Sequence, residues 1–367
     1  MRPVSGRRDF GRFIDYAYTR NACDPHWIPP LRLSERQRLT PKNPFFAHAD
    51  CALFLAWRQG VVVGRIAAID DRLHNQVHAD NIGIFGFFEA ADRDAAHALL
   101  GTVDSWAKQR GRLRVRGPLN PSMNESAGLL VDGFDSDPTL LMPHNPPEYG
   151  EYVESAGYHK VKDLFAWLYD LDRDAPPIIE RLAQRVRGRD RILVRPLDLA
   201  EFARETDRIR DIYCGAWMHN WGFVPPTAAE FRRIATEMKP IFDPRGAVCA
   251  EIDGRAVACA IALPDVNQAL KGTDGRLAPQ TLFRLLFRRR YIDQLRLLLL
   301  GVLPEFRAHG LYPLLLFELH RQVRSGPYRR MEFSWVLEDN RDINQPAEEA
   351  GAHRYKRYRI YEKTLSP

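Results

Sequence analysis

A chain of 367 residues exceeds what a single compact core holds, and its 45% apolar content is enough to build two. Its 53 basic and 47 acidic residues leave a net charge of +6 spread along the chain, which favours anionic ligands but lacks the basic-aromatic stretches of a nucleic-acid binder. The five cysteines (Cys23, Cys51, Cys214, Cys249, Cys259) form no C-x-x-C pair, which argues against a zinc site or disulfide framework. No apolar run nears the ~20 residues of a membrane span and no secretory signal follows Met1, so the cytoplasm is expected.

The first predicted element is a helix around residues 10–18, followed by a Pro-rich loop at 24–44. Strand-like runs at 51–58 and 61–69 flank the turn Gln59-Gly60. A third run, 81–88, leads to Asp92-Arg93-Asp94, whose carboxylates suit the first turn of a helix ending at Lys108. A strand at 113–116 opens a long Pro- and Asn-rich loop, and a helix at 148–156 and a strand at 163–169 close a first domain, 1–170. Residues 171–190 carry a connecting helix at 176–187. The second domain, 191–367, begins with a strand at 192–196 and a helix at 199–217. Strands at 247–252 and 256–263 flank the turn Asp253-Gly254, and an arginine-rich helix at 282–290 follows. A strand at 294–302, a helix at 311–323, a strand at 331–337, a helix at 344–350 and a strand at 357–363 complete it. The halves share one order of elements, which reads as a duplication of form or as the alternation of any α/β chain.

Between the strand at 294–302 and the helix at 311–323 lies Val302-Leu303-Pro304-Glu305-Phe306-Arg307-Ala308-His309-Gly310-Leu311-Tyr312. A sharp strand-to-helix turn converges backbone N–H groups on an anion such as a pyrophosphate, with the helix dipole adding about 0.3–2 kcal/mol. Gly310 lets the backbone come close to phosphate oxygens, and Arg307 adds a fixed positive charge. At the matching point the first half has Glu89-Ala90-Ala91-Asp92, whose carboxylates repel a pyrophosphate.

The pattern Val302-x-Pro304-x-x-Arg307-x-x-Gly310-Leu311 resembles the V-x-P-x-x-R-x-x-G-[IL]-[GA] loop of the Gcn5-related N-acetyltransferase superfamily. Tyr312 departs from it, standing where a small residue is usual. Asn340-Arg341-Asp342-Ile343-Asn344, followed by Gly351-Ala352, is similar to that superfamily's Asn-bearing helix and Gly-aromatic turn. A narrower tandem-domain group, which includes the bacterial ceramide synthases, is resembled by four further stretches. These are Arg116-Gly117-Pro118-Leu119-Asn120-Pro121-Ser122, Gly133-Phe134-Asp135-Ser136, His144-Asn145-Pro146-Pro147-Glu148-Tyr149 and Ala216-Trp217-Met218-His219-Asn220-Trp221-Gly222-Phe223-Val224-Pro225. The resemblance implies an α/β fold of tandem domains, each a mixed, mostly antiparallel central sheet flanked by helices. It implies an acyl-CoA co-substrate held by Leu300, Val302, Arg307, Ala308, His309, Gly310, Leu311, Tyr312 and Asn344, with no metal. The implied reaction moves a fatty acyl group to the amine of a sphingoid base such as 3-ketosphinganine.

Several residues are compatible with that chemistry. Trp217, Trp221 and Phe223 beside Asn220 suit a pocket with an apolar wall and one polar handle, or simply a packed core. Asn120, Asn124 and Asn145, with Tyr149 close to the last, lie in Pro-rich loops as cleft residues or as turn formers. Leu282-Phe283-Arg284-Leu285-Leu286-Phe287-Arg288-Arg289-Arg290 mixes apolar and basic residues as a helix on the inner membrane surface does, or as one that packs one side and solvates the other. Amide formation needs an unprotonated amine, an oxyanion donor and a proton for the thiolate. A backbone N–H near residues 300–302 is the superfamily's usual donor. The distal half of the strand at 294–302 has no carboxylate, so Glu338 is the first choice of base and His219 the second. Tyr355 or Tyr358 can supply the proton, a phenol having a pKa of about 10. Cys259 sits in an apolar strand with no base marked beside it. Three other readings stay open: an N-acetyltransferase of a small soluble amine, an aminoacyl-tRNA-dependent transferase, and a non-catalytic CoA-binding module.

Overall fold

The computed structural model describes residues 1–187 and 191–366. It divides into two compact units, neither a single stretch of chain. The first joins Met1–Phe165 to Leu270–Leu282 and Lys356–Pro367, and the second joins Ala166–Ala269 to Phe283–Tyr355.

In the first unit, β1 (Arg2–Pro3) precedes α1 (Gly6–Arg20) and α2 (Arg32–Arg38), and pairs with β2 (Ala49–Arg58). β2 turns into β3 (Val61–Asp71) through Gln59 and Gly60, both at positive φ, as a two-residue hairpin of matching twist requires. After α3 (Arg72–His78) comes β4 (Ile82–Ala90), buried along its whole length. α4 (Arg93–Lys108) lays Ala96, Leu99, Leu100 and Val103 against Ile66, Phe85 and Val115, a helical stripe on a strand face. β5 (Arg114–Gly117), β6 (Leu129–Asp132), α5 (Tyr149–Ser155) and β7 (His159–Asp170) follow.

β4 and β5 pair in parallel only at Ile82↔Arg114, Gly83↔Val115 and Ile84↔Arg116, and then part. The chain closes this fork with its own backbone. Leu119 N–H donates to Phe85 O at 2.9 Å, and Phe87 N–H donates to Asn120 Oδ1 at 2.6 Å. Gly86 makes the approach possible, since a Cβ there would stand 1.9 Å from Leu119 O.

The second unit repeats the plan. α6 (Pro177–Arg187), β8 (Ile192–Arg195), α7 (Phe202–Trp217) and α8 (Ala228–Met238) lead to β9 (Ala247–Ile252) and β10 (Arg255–Pro264). Asp253 and Gly254 again take positive φ at the hairpin turn. Then come α9 (Asn267–Leu270), α10 (Pro279–Leu286), β11 (Gln294–Val302), α11 (Leu311–Val323), β12 (Arg330–Leu337), α12 (Arg341–Glu349) and β13 (His353–Thr364). The strands run β8, β9, β10, β11, β12, antiparallel up to β11 and parallel between β11 and β12, with β7 beside β12. In the first unit the later part of β13 pairs antiparallel with β5 and β6. Within each unit the strand pairing is therefore mixed and mostly antiparallel, with helices packed against the strands.

The sequence reading does not contain β1, α2, α3, β6, α8 or α9. Of these, α8 carried a readable start, because Thr227 and Glu230 form a capping box. The helix expected at 282–290 starts earlier, at Pro279, and stops at Leu286, with a separate turn of 3₁₀ helix at Arg288–Arg290. Residues 188–190, the end of the expected connecting stretch, lie outside the described residues.

Replacing Gly86 by Ala forces the closed fork open. A denaturant titration should find the chain about 1–3 kcal/mol less stable than the parent, the usual cost of overpacking.

Candidate active site

In the second unit the fork is not closed in this way. β11 and β12 pair from Gln294↔Arg330 to Leu297↔Phe333, and beyond that point no register partners join 298–302 to β12. Opposite β10 the register skips from Ile261↔Leu299 to Ala262↔Leu297, so Leu298 is the extra residue of a bulge. A bulge re-aims backbone amides and side chains, and here it sits where the strands part. The first unit bulges β4 against β3 in the same way between Arg65 and Ala67.

At the far end of β11, Gly310 starts α11 in the left-handed conformation, φ +73, with no side-chain cap on the helix. A Cβ on Gly310 would come within 2.9 Å of Val186 Cγ2, so the residue is fixed by both backbone and space. The corresponding helix of the first unit is closed to an anion. Asp92 caps α4 by accepting from Ala95 N–H at 3.0 Å, and its carboxyl is held down to about 2 by Arg58 and that amide. One copy thus fills its helix start with its own carboxylate, while the other leaves N–H groups uncapped by any side chain.

Arg307 and Tyr312 brace the open loop. The Arg307 guanidinium donates to Ala216 O, at the end of α7, at 2.9 Å. Burial raises the Tyr312 phenol, opposed by Arg307 and by the backbone of Val302, both of which reach its hydroxyl. Tyr312 is thus turned back toward the strand end. Ala308 is exposed, His309 half-buried and Leu311 buried. Of the strand residues, Leu300 is half-buried and Val302 fully buried.

An aromatic cluster borders the fork. Trp335 on β12 lies 6.3 Å from Trp217, which meets Tyr213 at 4.7 Å and Phe223 at 6.1 Å. Phe231 of α8 extends it, 5.8 Å from Tyr213. Phe223 is core, whereas Trp217, Asn220 and Trp221 are half-buried and His219 is exposed. Asn220 shapes the turn after α7, its N–H donating to Trp217 O at 2.8 Å.

Asn344 is a clamp. Its Nδ2 donates to Leu337 O at 2.9 Å, and its Oδ1 accepts from Trp167 Nε1 at 2.9 Å. Glu338 stands half-buried at the end of β12 beside it. Tyr355 donates its hydroxyl proton to Glu332 Oε2. Glu332 is fully buried, accepts also from Ser334 Oγ, and lies 4.0 Å from Arg296, whose Nε donates to Ser334 Oγ at 2.9 Å. Sequence reasoning named Tyr355 but missed Arg296, Glu332 and Ser334. Their signal is a lone arginine in Leu295-Arg296-Leu297 and a lone glutamate in Met331-Glu332-Phe333, opposite charges inside two apolar strands.

The other expected residues belong to the first unit, where most are structural. Asn120 closes the fork there. Asn145, buried, imitates a peptide by accepting from Leu130 N–H at 2.7 Å and donating to Leu130 O at 3.3 Å. Tyr149 is wholly buried and donates to Glu89 Oε2 at 2.9 Å; burial lifts its phenol far above the ordinary range. Asn124 is half-buried, its N–H donating to Ser122 Oγ at 3.3 Å. Tyr358 is fully buried on β13, opposite Leu130 of β6. In the second unit, burial pushes the Cys249 thiol up to about 12 and that of Cys259 well above its ordinary value, which keeps both protonated. Among the described residues no group of three His, Cys, Asp or Glu could hold a metal ion.

A bulged strand parting from its parallel neighbour ahead of a helix, built twice in one chain and with a glycine start in the second unit, defines the tandem Gcn5-related N-acetyltransferase fold. A tandem GNAT protein from the clavulanic acid biosynthesis pathway has the same fold, with a TM-score of 0.59 over 100% of this chain and 98% of that one at 14% identity. No family model matches the chain. The chain belongs to the family of the bacterial ceramide synthase of Caulobacter vibrioides (strain NA1000 / CB15N). The two are 40% identical over 372 residues, 99% of this chain and 97% of the relative. Protein YghO of Escherichia coli (strain K12) is 34% identical over 100% of this chain and 95% of its own length.

Gly310→Ala puts a Cβ both into the left-handed region and against Val186. At about 1–2 kcal/mol for that conformation, a denaturant titration should find the variant less stable than the parent by at least that much.

Proposed function

We propose that the protein transfers a long acyl chain from acyl-CoA to the amino group of a long-chain amine of the sphingoid type, such as 3-ketosphinganine. The observation that carries this reading is the open fork between β11 and β12, with uncapped N–H groups at one end and an aromatic wall along its side. Leu300, Val302, Arg307, Ala308, His309, Gly310, Leu311 and Tyr312 form the strand end and loop for the CoA handle. The pantetheine arm lies along 298–302 and meets backbone groups that β12 no longer engages. Trp217, Phe223 and Trp335 offer apolar surface for a chain, where each buried methylene contributes about 0.8 kcal/mol. The 40% identity to a ceramide synthase supports the choice of amine.

Peripheral contact with the inner membrane is part of the same reading. On α10 and just after it, Leu282, Phe283, Leu286 and Phe287 are all exposed, Leu286 to 78%. Arginines 284, 288 and 290 alternate with them, and each basic group near an anionic leaflet adds about 1 kcal/mol. No helix among the described residues is long and apolar enough to cross a membrane, so the contact is at the surface.

Purified protein given palmitoyl-CoA and 3-ketosphinganine should release free CoA and form the amide, seen by mass spectrometry. Acetyl-CoA should turn over at least tenfold more slowly; the reverse preference points to a small-amine acetyltransferase and defeats the reading. Vesicles containing phosphatidylglycerol should sediment the parent protein but not Phe283→Asp/Leu286→Asp, while both turn over detergent-dispersed substrate alike.

A further inference from the structure

α6 comes before β8 in the chain and packs on α11, and its last turn is basic, with Arg185 and Arg187. Val186 of that turn is buried, and it is the residue that a Cβ on Gly310 would meet at 2.9 Å. The end of α6 therefore borders the start of α11, where no side chain caps the N–H groups.

Arg187 follows Val186 directly, and its side chain is 56% exposed. It lies 3.3 Å from Glu318 Oε1 on α11. That contact is an ion pair without a hydrogen bond, since this buried oxygen has no hydrogen-bond partner among the described residues. The other carboxylate oxygen accepts from Arg321 Nε at 3.1 Å and from its Nη2 at 2.8 Å. Glu318 thus keeps a bonded countercharge when Arg187 moves away, and no buried charge is left alone. An exposed arginine held by charge alone is held weakly.

The phosphate end of a CoA needs such a cation. A helix start supplies about half an elementary charge, whereas one phosphate monoester alone carries about −1.5 to −2. Arg307 is committed to Ala216 O.

We propose that Arg187 is a swinging clamp for the acyl donor, leaving Glu318 for the phosphates of a bound CoA and returning when CoA departs. This rests on the acyl-CoA reading and deepens it by naming the donor class. The clamp acts on phosphates that CoA has and that the phosphopantetheine arm of an acyl carrier protein lacks. It therefore selects an acyl group delivered on CoA over one delivered on a carrier protein.

Calorimetry on the full chain tests this. Arg187→Gln should bind CoA about tenfold more weakly than the parent, and Arg187→Lys, which keeps the charge, no more than threefold. Arg181→Gln removes the same charge from an exposed position about 9 Å back along the helix and should stay within twofold. 4′-Phosphopantetheine, measured by displacement of CoA, should bind the parent and Arg187→Gln within threefold of each other. With 3′-dephospho-CoA, the same tenfold loss assigns the clamp to the diphosphate, and no loss assigns it to the 3′-phosphate. Glu318→Gln unties Arg187 and should bind CoA as tightly as the parent or up to threefold tighter. A mere tether between α6 and α11 predicts the opposite, that Arg187→Gln and Glu318→Gln weaken binding alike. That result overturns the clamp, as do parental CoA affinity in Arg187→Gln, an equal loss in Arg181→Gln, or an equal loss with 4′-phosphopantetheine. Should Glu318→Gln fail to fold in a thermal melt, the three variants at the exposed arginines decide. Binding is read without turnover, so a protein that binds CoA yet forms no amide defeats the acyltransferase reading alone. A parent that binds no CoA overturns the clamp as well.

Discussion

Two parallel strands that part after a few residues leave a row of backbone N–H and C=O groups facing each other across a widening gap. Burying such groups without partners costs about 1–3 kcal/mol each, so a parted pair has to be completed by something. The second and first units begin from the same parting and complete it differently. The first supplies Leu119 and Asn120 from its own chain and caps its following helix with Asp92. The second supplies neither across β11 and β12, and begins its helix with a bare glycine. The difference between a closed copy and an open copy is therefore local: a few residues that follow β5 and one that precedes α4.

Around the open fork, each piece is held by contacts that do not compete for it. Arg307 is anchored on Ala216 O, which ties the loop to α7, and Asn344 is anchored on Leu337 O and Trp167, which ties α12 to the end of β12. Gly301 lets α7 come close, since a Cβ there would already lie 3.3 Å from Ala216 Cβ. The walls are set by packing before anything enters. Preorganisation of this kind reduces the entropy lost on binding.

Much of the fold was legible because its signals are local. Gln59-Gly60 and Asp253-Gly254 mark hairpins by backbone preference alone, and Gly310 marks a helix start because few other residues take its φ. The site was legible only in part. Asn120 and Asn145 read as cleft residues or as turn formers; their amides bond to peptide groups, and sequence does not tell an amide that binds a ligand from one that imitates the backbone. Arg296 and Glu332 were overlooked for the opposite reason. A single charge within an apolar strand reads as an outward-facing residue, and only strand pairing shows that the two charges meet.

The closed fork of the first unit also has the quality of a cast. Leu119 N–H and Asn120 Oδ1 present one donor and one acceptor to neighbouring groups of a bulged strand, Phe85 O and Phe87 N–H, with a glycine beneath them. An amide-bearing arm offers the same alternation. The first unit therefore shows, in peptide form, what completes a parted and bulged strand: one donor and one acceptor at that spacing.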